Sequence, residues 1–150
     1  MNQKDFQILA HLRRNARMPL TIMSRKANIP VSTIFDRLKA NENSLIIKHT
    51  SLIDFAKLGY NVRANITFKV EREDKEPVKE FLTKNCSVNS LFRISNGYDF
   101  LAECIFRQIL EMDNFLEEIE QKFRIKDKQV FFIVEELKRE EFLANPELIA

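Results

Sequence analysis

Two apolar stripes of helical spacing, set either side of Asn28-Ile29-Pro30, restrict this chain more than any other feature. Leu20, Met23 and Ala27 share the first stripe. Val31, Ile34, Phe35 and Leu38 recur at i, i+3, i+4 and i+7, the spacing of an amphipathic helix. Between the stripes, asparagine tolerates the left-handed conformation that ends one helix, and proline is pre-organised for the first turn of the next. The second helix then keeps Ser32, Thr33, Asp36, Arg37 and Ala40 outward. Short hydroxyls and an arginine let a helix approach a nucleic acid and bond its phosphates or base edges. The stretch fits a helix-turn-helix with a candidate recognition helix, and taken alone it fits an ordinary helical hairpin equally well.

Charge distribution bears on that choice. Residues 1–50 hold nine Lys/Arg (Lys4, Arg13, Arg14, Arg17, Arg25, Lys26, Arg37, Lys39, Lys48) against Asp5, Asp36 and Glu42, a net +6. The remainder holds 15 basic and 19 acidic residues, a net −4, which restores the overall +2. A basic front third joined to an acidic remainder points to a nucleic-acid module attached to something that is not one. Such a module of about 50 residues is marginal alone and must lean on the rest of the chain or on a partner.

The first helix is expected to start at Asn2, with Asp5 in capping-box spacing and Ile8, Leu9, Leu12 and Ala16 on one face. Arg13, Arg14 and Arg17 near its end suit the helix dipole, a DNA backbone or plain solvation. Beyond Glu42, the run Lys48 to Asp54 reads as a linking strand, closed by a glycine turn at Lys57-Leu58-Gly59-Tyr60. From Tyr60 the period changes to two. Val62, Ala64, Ile66, Phe68 and Val70 form one strand, and Lys75 to Lys84 a helix with Val78, Phe81 and Leu82 inward. Val88, Ser90, Phe92 and Ile94 alternate again, and Asn96-Gly97 predicts a two-residue type I′ hairpin with both residues at positive φ. Tyr98, Phe100, Ala102, Cys104 and Phe106 return. A helix from Gln108 to Lys122, a strand from Gln129 to Glu135 and an apolar tail (Phe142-Leu143, Leu148-Ile149) complete the chain.

That order is β-α-β-β-α-β, a ferredoxin-like domain at 60–150, behind an N-terminal (winged) helix-turn-helix at 1–45 and a linker strand and hinge at 46–59. The class is α+β. Leu91, Leu101, Ile105, Phe131 and Ile133 fall on the sheet face away from the helices. A second copy of the sheet is the simplest cover, so a homodimer is expected, with the C-terminal tail as the alternative cover.

Other classes find little footing. No G-x-G-x-x-G, G-x-x-x-x-G-K or H-E-x-x-H occurs, and no metal or cofactor site is expected. Cys86 and Cys104 fit no C-x-x-C pattern and read as reduced core thiols. His11 reads as a surface residue and His49 as a strand residue. Asp99 and Glu103 read as solvated or turn-capping rather than catalytic. The longest apolar run, Val130 to Val134, is too short to span a bilayer. The opening MNQKDFQILA lacks the build of a secretory leader, so a cytoplasmic protein is expected.

The whole pattern resembles the Lrp/AsnC (feast–famine) transcriptional regulators. Asp5-Phe6-Gln7-Ile8-Leu9 with Leu12 resembles the family's opening D-x-x-I-L-x-x-L. Ser32-Thr33-Ile34 with Arg37-Leu38-Lys39 resembles its recognition helix S-T-V-x-x-R-I-K. Lys57-Leu58-Gly59-Tyr60 resembles its K-L-G-[YF] hinge, and Tyr98-Asp99-Phe100 its Y-D-Y. The resemblance implies a cytoplasmic dimer, or an assembly of dimers such as an octamer, that binds double-stranded DNA and in many members answers to amino acids. Carried over, Ser32, Thr33 and Arg37 would contact DNA, with Asp36, Arg25 and Lys39 beside them. Asn96, Gly97, Tyr98 and Asp99 would border the effector site.

Three departures stand out. Pro19 and Pro30 replace frequent capping serines, and Ala40 to Ser44 lacks the usual L-E-x-x-G. Asn96 stands where the family's turn has glycine, with Gly97 next. The expectation from that last change is a weak or absent amino-acid response, or a different ligand held by Asp99 and Arg93. The alternative function is an interaction module pairing with a paralogue. An enzyme like the haem-pathway decarboxylases that share this architecture would want a histidine in the C-terminal domain, whereas His11 and His49 both lie outside it, so no enzyme is expected.

Overall fold

The computed structural model describes residues 1–149; the last residue of the expected 60–150 domain, Ala150, lies outside the described residues. The chain divides into two compact units. One comprises residues 1–52 together with the C-terminal segment from Glu136, and the other Ile53–Glu135.

The first unit contains α1 (Gln3–Arg14), α2 (Leu20–Ala27) and α3 (Val31–Asn41). The capping box forms as expected: Asn2 Oδ1 accepts from the Asp5 N–H, and the Asp5 carboxylate accepts from the Asn2 N–H. Asn28 ends α2 at φ 53°, the left-handed cap expected of it. Ile8, Met23, Ile29 and Ile34 form the core, with Leu12, Met18, Leu20, Ala27 and Leu38 packed against it. Four large buried side chains make a small core, and the chain supplements it from its other end. Ala144 and Pro146 are buried. Arg13 Nε donates to the Phe142 carbonyl at 2.6 Å, and its guanidinium also meets the Glu140 carbonyl and carboxylate, each at 3.1 Å. Gln7 Nε2 donates to the carbonyls of Pro146 and Ile149.

Those contacts correct the reading of the tail and of the domain boundary. The segment 136–149 groups with the helices rather than with the sheet, and its anchors are small residues and backbone carbonyls. Phe142 is 80% exposed. Hydropathy marked the large side chains, but hydrogen-bonded backbone is what α1 grips. Two further expectations fail here. His11 is buried rather than superficial, and Ala16 is exposed beyond the end of α1. The linking strand does not form among the described residues: Glu42 and Ile46 make an isolated bridge, and residues 47–54 run without a ladder. Alternation alone cannot make a strand that has no partner for its N–H and C=O groups.

The second unit is the expected ferredoxin-like fold. Strands β1 (Val62–Val70), β2 (Val88–Arg93), β3 (Phe100–Phe106) and β4 (Ile125–Phe132) form one antiparallel sheet in the order β2-β3-β1-β4. Helices α4 (Lys75–Lys84) and α5 (Ile109–Lys122) bury Val78, Leu82, Met112, Phe115, Leu116 and Ile119 against Ala64, Ile66, Phe68, Ala102, Cys104 and Phe106. Phe81, Phe106, Phe115 and Phe123 add ring pairs with centroids 5.6 to 6.2 Å apart, each contributing roughly 0.5–1.5 kcal/mol beyond area burial. Gly59 makes the expected turn at φ 88°, after a short 3₁₀ segment Phe55–Leu58.

The register departs from expectation at Asn89. The β2–β3 register shifts between Val88 and Ser90, so Leu91 joins Val88 against the helix-covered core while Phe92 turns outward. One extra residue in a strand reverses the facing of everything after it. Strand β4 also begins and ends earlier than the Gln129–Glu135 reading.

Candidate nucleic-acid interface

Helix α3 is docked through Ile34, which is fully buried, and Leu38, which is half-buried. Steps of about 100° per residue then place Ser32, Asp36 and Lys39 at the centre of the opposite side, and all three are exposed, as is Arg25 on α2. Thr33 is half-buried on one flank. Val31 and Phe35 occupy the other flank, 40% and 54% exposed. That is a correction, since the sequence stripe put both in the core. Helices α1 and α2 cover a narrower sector of α3 than its apolar periodicity spans, and periodicity carries no information on that width.

Arg37 has a different position from its neighbours. It is half-buried, and its Nη1 donates to Asp5 Oδ1 at 2.5 Å and to Asn2 Oδ1 at 3.1 Å. It therefore ties α3 to the N-terminal cap of α1. The Asn2 N–H and then the Arg37 guanidinium hold the Asp5 carboxyl below its ordinary range. Arg13 is committed to the tail, while Arg14 and Arg17 stand exposed. Burial, aided by Lys26 and Arg14, lowers the His11 pKa, so the unit holds it preferentially neutral.

The second expected site lies in the loop between β2 and β3. Ile94 N–H donates to the Asp99 carbonyl, closing a four-residue connection, and only Gly97 has positive φ, at 91°. The two-residue type I′ turn is thus replaced by a longer loop. Asn96 Oδ1 accepts from the Tyr98 N–H at 3.3 Å, the local side-chain turn expected of an asparagine there. The Tyr98 hydroxyl donates to Asp127 at 2.5 Å, and that bond raises its pKa. Asp99 accepts from the Val70 N–H at 2.8 Å and pairs with Lys75 at 3.0 Å. Burial pushes the Asp99 carboxyl up, but the Val70 N–H and Lys75 outweigh it and leave it below its ordinary value. Asp99 is thereby a brace between β1, β3 and α4.

Elsewhere, Glu103 pairs with Arg63 at 2.7 Å and accepts from Asn89. Cys104 is a core thiol pushed up to about 12 by burial, whereas Cys86, also expected inside, is exposed. Among the described residues no group of His, Cys, Asp and Glu is arranged to hold a metal ion, and no helix is long and apolar enough to cross a membrane.

A three-helix unit that presents α3, followed by an antiparallel βαββαβ domain, defines a two-part helix-turn-helix regulator. Residues 63–142 match the Lrp/AsnC ligand binding domain, and residues 1–40 match the winged helix-turn-helix DNA-binding domain. The chain belongs to the Lrp/AsnC family of helix-turn-helix transcriptional regulators. It is similar to an uncharacterized HTH-type transcriptional regulator of Pyrococcus furiosus, 24% identical over 143 residues that cover 95% of this chain and 96% of the relative. It is also similar to the HTH-type transcriptional regulator FL11 of that organism, 28% identical over 114 residues, 75% of this chain and 76% of FL11. Among solved structures, the L-Met complex of a transcriptional regulator from Neisseria meningitidis shares the fold with a TM-score of 0.85 at 20% identity, over 93% of each chain.

Proposed function

We propose that the chain is a promoter-binding regulator acting in the cytoplasm as a homodimer, with α3 laid in the major groove of double-stranded DNA. The observation that carries this reading is the solvent side of α3, where Ser32, Asp36 and Lys39 stand exposed, with Arg25 exposed on α2. The hydroxyls of Ser32 and Thr33 and the cations of Arg25 and Lys39 suit phosphates and base edges, and Asp36 suits a cytosine amino group. Arg37 is assigned to holding α3 in place rather than to reading a base. Regulation, not catalysis, is the role that the two matched domains support.

Pairing of two sheets is supported by the face away from the helices. Phe92 and Phe131 are exposed there, with Leu101, Ile105 and Ile133 half-buried. Thr67 Oγ1, on the same face, is buried without a hydrogen-bond partner, and a second copy can supply one. A dimer can assemble further, into octamers for example. The L-Met complex of a relative supports an amino-acid effector as the ligand class. In this chain the side chains of Asn96, Tyr98 and Asp99 already have internal partners, which supports a weak response at that loop.

Titration of labelled duplexes at several salt concentrations, with and without each common amino acid, tests the reading. Affinity is expected to fall steeply with salt, and Lys39→Ala to reduce the logarithmic slope by about one. Absence of binding, or an unaltered slope in both Lys39→Ala and Arg25→Ala, refutes the placement of α3. A several-fold change of affinity with any amino acid refutes the weak response. Sedimentation of the intact chain at one chain's mass refutes the paired sheets.

A further inference from the structure

Phe35 is the feature of the DNA-facing helix that the contact set above leaves unused. A phenylalanine at 54% exposure on the flank of that helix is costly to leave in water. Val31 lies one turn before it on the same flank, 40% exposed, so the two form a short apolar strip along the first half of α3. Ser32, Asp36 and Lys39 are exposed on the same helix, and Arg25 and Lys26 are exposed on α2. This cationic setting suits a polyanion and argues against burial of the strip in a purely apolar partner. Within the major groove of B-DNA one group is apolar, the 5-methyl of thymine, and side chains such as phenylalanine are suited to touch it.

We infer that Phe35, supported by Val31, is a specificity-determining contact of this regulator that reads the 5-methyl group of a thymine. The inference rests on the placement of α3 in the major groove proposed above. It makes the operator half-site contain a thymine whose position is set by the centre of α3, next to the base pair within reach of Asp36. Ser32 and Lys39 hold the helix to the backbone without distinguishing that base. Burial of one methyl group changes binding by a factor of about four, so the contact discriminates moderately and twice over in a symmetric dimer.

The test uses the full chain and its own selected site. A site is obtained by in vitro selection from random duplexes. Each thymine of the site is then replaced by deoxyuridine, which removes only the methyl group. For the wild-type chain, one thymine per half-site is expected to cost about fourfold in affinity on demethylation. Phe35→Ala is expected to bind the selected site more weakly and to be indifferent to that methyl. Phe35→Leu, which keeps an apolar side chain, is expected to retain part of the sensitivity. Melting temperatures of the variants check that α3 remains folded.

Equal methyl sensitivity in wild type and Phe35→Ala overturns the inference, as does a wild-type chain that binds DNA with no thymine effect. A Phe35→Ala variant whose assembly mass changes while methyl sensitivity persists assigns the strip to a protein contact and also overturns it. Failure of the wild-type chain to bind any duplex refutes the placement of α3 itself, and is thereby distinguishable.

Discussion

Replacing Arg37 with alanine separates a residue that positions the recognition helix from one that reads a base. The guanidinium sits 2.5 Å from Asp5 and 3.1 Å from Asn2, and the paired side chains are 29% and 13% exposed. Loss of a hydrogen bond to a charged group costs roughly 1.5–3 kcal/mol when buried, whereas exposed ion pairs contribute about 0.2–1 kcal/mol. This pair lies between those limits, so Arg37→Ala is expected to destabilise the helical unit by about 1–2 kcal/mol. In a unit of this size that lowers the melting temperature by roughly 4–8 °C per kcal/mol. A double-mutant cycle with Asp5→Asn is expected to return a coupling of about 1 kcal/mol.

The pH dependence gives an independent check. The folded Asp5 carboxyl titrates below its ordinary 3.8, because of the Asn2 N–H first and Arg37 second. Its stabilisation is therefore complete above that value and lost as pH falls through the lower folded one. Arg37→Ala is expected to flatten this portion of the acid profile. It is also expected to weaken DNA binding on specific and random duplexes alike, by loosening the seat of α3. An unchanged melting temperature, together with weakened binding confined to a specific site, would refute the positioning role and restore Arg37 as a base reader.

The C-terminal segment and His11 yield two shorter predictions. A chain ending at Glu135 loses the buried Ala144 and Pro146 and the partners of Gln7 and Arg13; the helical unit is expected to lose about 2–4 kcal/mol, read by chemical denaturation, and an unaltered midpoint excludes a stabilising role for the segment. His11 has a folded pKa below its ordinary 6.5, chiefly through burial, so the folded state binds fewer protons and stability is expected to decline as pH drops below 6.5 toward the folded value; His11→Gln is expected to remove that decline, and its persistence in the variant assigns it elsewhere.

Apart from the linking strand, the order and kind of elements were legible in the chain because periodicity is a local property. The 3.6-residue stripes of residues 20–38 and the two-residue alternation from Val62 each reflect one element's own geometry, and α4 runs from Lys75 to Lys84 as read. Most caps and turns were legible for the same reason, the Asn96-Gly97 hairpin being the exception. Asn2 with Asp5, Asn28 and Gly59 act within a few residues of themselves. The candidate DNA-contact face was therefore visible apart from the fate of individual side chains, and the family motifs named the class.

What the tertiary structure alone decided involves distant partners. Phe35 carries an apolar side chain at a core-like spacing, but its exposure depends on how wide a sector α1 and α2 cover. Arg37 faces the cap of a helix more than thirty residues away. Leu91 changes sides because of one extra residue at Asn89 in β2, which the β3 ladder must absorb. The tail grips α1 through backbone carbonyls, which every sequence has and hydropathy does not register. A side chain's identity fixes what it can bond, but its partner is set by packing, and packing is a property of the whole chain.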